Sequence, residues 1–182
     1  MTEPLILDLA CGDYKTPGTL GVDLGSVTLT GSKSSIDVAA SAYTLPFQDE
    51  VFDGVICRHF LEHIDTLRVL RELNRVCKKN AKITIDIPNS LYLFILVRAF
   101  LRIEARPWSG ECPHIHIFGR PEIRNLLRET GFKTLEIHHY TEWRLSKERL
   151  QRFKQLVMWF VDSAFPFFSR HLRVSALKVR SL

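Results

Sequence analysis

Long apolar runs are missing from this sequence. The longest, Leu91 to Val97, is interrupted by Arg98, far short of the roughly 20 residues a membrane-spanning helix needs. Cysteine is scarce: Cys11, Cys57, Cys77 and Cys112 are scattered, with no CxxC pair. That spacing excludes a zinc ribbon or disulfide scaffold and points to reduced thiols in a cytoplasmic protein. Met1-Thr2-Glu3-Pro4 offers no basic stretch of the kind that opens a secretory signal peptide. No repeat, low-complexity tract or linker divides the chain, so a single domain over residues 1–182 is expected. Net charge is +5 and the pI about 9.2, but no DNA- or RNA-binding signature accompanies it. The basicity reads as a solvated surface, and nucleic acid is not an expected partner.

What is present is organised around Leu5 to Gly25. Leu5, Ile6, Leu7 and Leu9 form the near-continuous apolar run of a strand buried on both faces of a parallel sheet. It ends in Asp8-Leu9-Ala10-Cys11-Gly12, where small residues let a ligand lie against bare backbone. A second apolar strand, Thr19 to Val22, delivers Asp23. An acidic residue at the tip of the second strand of a doubly wound sheet is placed to accept hydrogen bonds from ribose hydroxyls. These two strands therefore point to a cofactor that contains a nucleoside.

The stretch resembles motif I and the acidic second-strand end of class I S-adenosylmethionine-dependent methyltransferases, type 11 in particular. Those carry Asp-x-Gly-x-Gly after strand 1; here Ala10 stands at the first glycine and Gly12 at the second. Between the strands, Asp13 to Gly18 is too short and too broken by Pro17 and Gly18 for the usual crossover helix. Lys15-Thr16-Pro17-Gly18 matches a subgroup of small methyltransferases with such a shortened crossover, which leaves an opener pocket. Ser41-Ala42-Tyr43-Thr44-Leu45-Pro46-Phe47 followed by Phe52-Asp53 is similar to the family's Asp-Ala-x-x-Leu-Pro-Phe segment, with Ser41 in place of the acid. Leu61-Glu62-His63 after strand 4, and Pro88-Asn89 after strand 5, continue the resemblance.

The remaining elements follow from periodicity and breakers. Strand 3 is expected over Ile36 to Ala40 and strand 4 over Gly54 to Cys57. Asp65 caps a helix whose inner face carries Leu67, Leu70, Leu73 and Cys77; Lys79-Asn80 ends it before a strand over 81–89. Residues 90–106 are apolar nearly all round, with Arg98, Arg102 and Arg106 four apart. They read equally as a lid over an acceptor or as a packed helix with a solvated edge. Pro121 suits the first turn of a helix buried through Ile123, Leu126 and Leu127, and Gly131 suits its end. Strand 6 is expected over Phe132 to Tyr140 and strand 7 over Val174 to Val179. Between them, residues 145–164 are amphipathic, with Leu150, Phe153, Val157, Phe160 and Ala164 opposite Lys147, Arg149, Arg152 and Lys154. That reads as the last helix packed on the sheet, with contact to a membrane surface as the other use of such a pattern. Phe165-Pro166-Phe167-Phe168 adds an aromatic cluster suited to an acceptor, a partner copy or lipid.

The resemblance, spread over Leu5 to Phe132, implies an α/β fold: a doubly wound, Rossmann-like seven-stranded sheet in the order 3-2-1-4-5-7-6, strand 7 antiparallel. It implies S-adenosyl-L-methionine as cofactor, with S-adenosyl-L-homocysteine as product. Asp23 would bind the ribose; Asp8, Ala10 and Gly12 would line the methionine end; Ser41, Ala42 and Leu45 would flank the adenine; Arg58 would help close the pocket. His59 and His114 are the candidate general bases, while His63 reads as a structural histidine. His114-Ile115-His116 has no third ligand nearby in sequence, so no metal is expected. The acceptor is expected to be a small metabolite, glycan or lipid-linked molecule. The alternative is a cofactor-binding domain that acts as a partner or scaffold, which Ala10, Ser41 and the short crossover favour. A nicotinamide-dependent enzyme would require a fuller glycine loop than residues 8–12 provide.

Overall fold

A computed structural model describes residues 3–25, 36–92, 115–141, 156, 159–160 and 163–182. Its centre is a seven-stranded sheet: β1 (Ile6–Leu9), β2 (Leu20–Asp23), β3 (Val38–Ala39), β4 (Phe52–Arg58), β5 (Cys77–Pro88), β6 (Phe132–Tyr140) and β7 (His171–Lys178). The strand order is β3-β2-β1-β4-β5-β7-β6, with β7 antiparallel to both neighbours, as the resemblance implies. The central strands β1 and β4 run parallel with Leu7 opposite Val55 and Leu9 opposite Cys57, all buried. Burial on both faces is what makes such strands continuous in apolar residues.

One face of the sheet is covered by α1 (Thr66–Val76), which buries Val69, Leu70, Leu73 and Val76. Asp65 accepts from Arg68 N at its start, the cap expected there. Cys77, expected on the helix face, is instead the first residue of β5 and pairs with Phe52. The register then slips: Gly54 opposes Lys82, so the basic turn lies in a bulge where Asn80 holds φ +64. Helix α2 (Arg120–Glu129) buries Ile123 and Leu127 and carries Pro121 in its first turn. Gly131 follows it in the left-handed region, φ +82.

Three further expectations change. β3 shortens to two residues because the Asp37 carboxylate turns back to accept from Gly21 N and from Lys15 Nζ. β7 begins three residues early, at His171, since its pairing with Pro88 and Tyr140 runs to the end of both neighbours. In the helix expected over 145–164, described only at 156, 159–160 and 163–164, Phe160 and Ala164 are exposed rather than packed on the sheet. No helix among the described residues is long and apolar enough to cross a membrane.

Candidate functional site

The carboxyl ends of β1, β2 and β4 converge on one edge, where a doubly wound sheet binds its ligand. No helix forms between β1 and β2 among residues 10–19. In its place is a strap. Thr16 N donates to Asp8 Oδ2 (2.7 Å), Lys15 Nζ reaches Asp37 (2.8 Å), and Thr19 Oγ1 donates to Thr16 O (2.7 Å). The strap lies so close to β2 that a Cβ on Gly21 would sit 2.6 Å from the Lys15 side chain. The Lys15 ammonium and the Gly21 N–H hold the Asp37 carboxyl below its ordinary value.

The turn after β1 is built from left-handed residues. Ala10 has φ +54 and Gly12 φ +51, and Ala10 N donates to Val22 O at 2.8 Å. Alanine in that region is strained by roughly 1 kcal/mol or more, where glycine would not be. Beside Gly12 there is open space: a built Cβ meets nothing within 4 Å. Gly12 N donates to Asp23 Oδ2 (3.0 Å) and Leu24 N to Asp23 Oδ1 (2.7 Å). Each carboxylate oxygen has two lone pairs, so Asp23 keeps acceptor capacity for a further donor.

A mostly apolar cavity opens here, lined by Leu9, Ala10, Val22, Asp23 and Leu24 on one side and by Ala40, Ser41, Ala42, Tyr43, Phe60 and Ile64 on the other. The structure thus brings together four of the residues expected at the cofactor: Ala10, Asp23, Ser41 and Ala42. Leu45 stands behind the cavity, buried in the core, with its N–H on Glu72 Oε1 (2.7 Å) and its carbonyl on Arg75 Nη2 (3.0 Å). Tyr43, Phe60 and Ile64 were not singled out by sequence. Tyr43 is fixed by its hydroxyl accepting from Asp65 N (3.0 Å) and by Arg68 lying 4.7 Å above its ring.

Next to the cavity, four charges cross the sheet on one face: Asp8 on β1, Arg58 on β4, Asp86 on β5 and Arg173 on β7. The register sets Arg58 opposite Asp86 and Asp86 opposite Arg173. Arg58 Nη2 binds Asp8 Oδ2 at 2.8 Å and Tyr14 O at 2.7 Å, so it fastens the strap to β1. Arg173 grips Asp86 with two bonds of 2.8 Å, and its guanidinium lies 4.8 Å from the Tyr140 ring centre. Asp8 is buried, and its Oδ1 has no hydrogen-bond partner among the described residues. Buried acceptors are ordinarily satisfied, so a donor brought here by a ligand would complete the set.

His59 follows β4 with φ +49, its N–H on Asp86 O at 2.8 Å. Its ring is edge-on to His171, centroids 4.7 Å apart, and Nδ1 stands 3.7 Å from Glu62 Oε1. Glu62 is fully buried, with neither carboxylate oxygen hydrogen-bonded among the described residues. His63 Nε2 lies 3.9 Å from the same oxygen. His114 lies outside the described residues. Among the described residues no cluster of three or more His, Cys, Asp or Glu is arranged to hold a metal ion. Two thiols are disfavoured as thiolates: burial, then the charges of Asp8 and Asp23, pushes Cys11 up to about 11, and burial drives Cys57 higher still.

An S-adenosyl group fits these residues. The orphaned Asp8 oxygen, the open space at Gly12, the spare acceptors of Asp23 and the apolar walls at Ala42 and Tyr43 would supply, in turn, an acceptor for its ammonium, bare backbone, a ribose contact and a slot for a flat base. The methyltransferase domain family (type 11) matches residues 7–85. Residues 7–85 thus match a methyltransferase domain, on a sheet of the class I methyltransferase topology. The matched stretch covers β1 to most of β5, the part of the sheet that bears the cavity. The chain is 31% identical over 161 residues to the O-methyltransferase resE of Aspergillus sclerotiorum, covering 72% of this chain and 55% of that one. It is 29% identical over 118 residues to the demethylmenaquinone methyltransferase of Alkalihalophilus pseudofirmus, covering 56% and 50%. It spans only 41% to 55% of the length of these and an uncharacterised Methanocaldococcus jannaschii relative. In structure it resembles a chain of the Haloferax volcanii complex between the Trm112 methyltransferase activator and a methyltransferase (TM-score 0.71, 14% identity, 97% of this chain and 83% of that one). It also resembles a SAM-dependent methyltransferase of Methanosarcina mazei (TM-score 0.63, 18% identity, 98% and 94%). At these identities the likeness is one of fold.

Proposed function

We propose that the chain is an S-adenosyl-L-methionine-dependent methyltransferase whose acceptor is a small or lipid-linked molecule bound at the carboxyl ends of β4, β5 and β6. The observation that carries this is the Asp23 carboxylate, fixed by Gly12 N and Leu24 N at the rim of the cavity between Ala10 and Tyr43. When bound, the cofactor supplies a methyl group already activated on a sulfonium. The chain's own residues bind and orient. Asp23 holds the ribose, Ser41 and Ala42 flank the adenine, and Ala10, Gly12 and Asp8 receive the methionine end. Arg58, occupied by Asp8 and Tyr14 O, positions the strap rather than touching the cofactor.

Methyl transfer to oxygen needs a base only when the acceptor must lose its proton near the transition state. His59 suits that role, being partly exposed at the edge, oriented by its backbone bond to Asp86 and backed by Glu62 at 3.7 Å. An imidazolium formed there meets a buried carboxylate, an attraction that low local polarity strengthens. Transfer of labelled methyl from S-adenosylmethionine to a panel of phenols, quinols and short glycosides tests the reading. His59→Ala is expected to lower kcat on an oxygen acceptor by about 100-fold with cofactor affinity unchanged. A loss of cofactor affinity instead would make His59 a cofactor contact.

Ala10→Gly supplies a second check. It relieves the strain at φ +54 and removes a methyl from the cavity wall. Cofactor affinity is expected to rise several-fold and the melting temperature not to fall; weaker binding would mean that the Ala10 methyl is a cofactor contact. The specific observation favouring a non-catalytic partner domain is this same Ala10, so a folded, cofactor-binding chain with no turnover on any acceptor would turn the reading that way.

A further inference from the structure

We propose that an open, basic cavity between α2 and β6 binds a small ligand carrying a chain of two or three phosphate groups. The cavity holds about 630 Å³, within the size range of small-molecule sites. Its wall carries Arg124 and Arg128 from α2, Lys133 from β6 and Arg180 from the chain after β7, against the one carboxylate of Glu129. Arg124 and Arg128 stand four apart, so they share one side of the helix. Gly131 O accepts from Val179 N (2.9 Å) and Arg180 N (3.3 Å), which brings Arg180 to the end of α2.

The charges gathered here are not spent on one another. At the same end of the sheet, Lys78 holds Asp53 at 2.8 Å and Lys178 holds Glu50 at 3.2 Å. Among the described residues, none of the four cavity cations pairs with a carboxylate or donates a side-chain hydrogen bond. Like charges in a concavity focus a positive potential, and a bound anion relieves their repulsion. The Thr134 hydroxyl, on the same wall, is buried with no hydrogen-bond partner among the described residues. Buried hydroxyls are ordinarily satisfied, and a ligand oxygen would satisfy this one. The carbonyls that end α2 do not oppose an anion, because donors already occupy them. Leu126 O and Leu127 O accept from Thr130 Oγ1 (2.7 and 3.2 Å), and Arg128 O accepts from Gly131 N (3.3 Å).

Charge selects the occupant. Guanidinium forks match phosphate oxygens two at a time, and lysine adds a point charge. A phosphate monoester carries about two negative charges near neutral pH. Four cations less one carboxylate leave an excess of three on the wall, which one phosphate does not neutralise and a di- or triphosphate does. The site is separate from the proposed cofactor edge. β6 runs nine residues from Phe132 at the cavity to Tyr140 at the carboxyl edge, about 26 Å at the rise of a strand. Phosphate binding here therefore does not depend on the methyl-transfer reading.

Calorimetric titration with inorganic triphosphate tests it, with S-adenosylhomocysteine present in excess so that the cofactor edge is filled. One-to-one binding in the micromolar range is expected, weakening as salt rises from about 50 to about 300 mM. Arg124→Gln with Arg128→Gln should lower the affinity at least about tenfold, with S-adenosylhomocysteine affinity unchanged. Lys79→Gln with Lys82→Gln removes the same charge from exposed positions of β5 outside the cavity and should leave binding intact. Equal losses in the two double variants would reduce the effect to net charge and overturn the proposal. So would no binding at about 1 mM triphosphate. A single-stranded oligonucleotide that binds at least tenfold more tightly than triphosphate, and loses affinity in the arginine variant, would overturn it in favour of a nucleic-acid surface. ATP distinguishes the sources: tighter binding than triphosphate assigns a nucleotide, and equal binding assigns the phosphate chain alone.

Discussion

Asp23→Ala is expected to weaken S-adenosylmethionine binding about 100-fold. The carboxylate offers charge-assisted acceptors to the ribose hydroxyls, and a hydrogen bond to a charged group contributes roughly 1.5–3 kcal/mol. Two such bonds, partly replaced by water in the variant, correspond to about 2.7 kcal/mol, or two powers of ten. The same substitution frees Gly12 N and Leu24 N, so the turn after β1 also loses its clamp. Asp23→Asn separates the two contributions. Its amide oxygen can still accept from one backbone N–H, and a loss of about tenfold is expected. Calorimetric titration of the three proteins reads this directly. Equal dissociation constants across the series would take the cofactor away from the tip of β2.

Gly131→Ala is expected to cost about 4 kcal/mol of stability without touching the site. Gly131 sits at φ +82, where a side chain costs roughly 1–2 kcal/mol. A Cβ there would lie 2.6 Å from both Arg180 O and Asn74 Nδ2. Asn74 cannot move freely. It is 1% exposed, and its amide donates to Thr130 O (2.8 Å) and Arg180 O (2.9 Å), tying α1 to the end of α2 and to the chain after β7. Displacing it weakens two buried hydrogen bonds, about 1 kcal/mol each. A fall in melting temperature of about 10 °C follows for a chain of this size. A fall below about 2 °C would mean that the end of α2 rearranges without cost.

Much of this architecture was legible from local chemistry. The apolar run through Leu7 and Leu9, the small residues after it and Asp23 at the next strand tip point to the edge proposed for the cofactor because each step uses short-range rules of burial and turn geometry. Pro121 and Gly131 bracketed α2 for the same reason. The misreadings came where tertiary pairing overrode local pattern. Cys77 continues the helical spacing of α1, yet pairing with Phe52 draws it into β5. Phe160 keeps helical spacing with Leu156, but periodicity cannot tell a face that meets the sheet from one that meets another surface. The charge line Asp8–Arg58–Asp86–Arg173 joins residues up to 87 apart in sequence, and only the strand order makes them neighbours. Tyr43 and Phe60 reach the cavity through the fold of their loops, which their residue types do not announce.

The central claim is that this edge of the sheet binds an S-adenosyl cofactor. Calorimetric titration of the chain with S-adenosylmethionine and, separately, with S-adenosylhomocysteine tests it most directly. Saturable, one-to-one binding of both with micromolar dissociation constants is the predicted result. Absence of binding by either ligand, in a protein that still melts cooperatively, would contradict it.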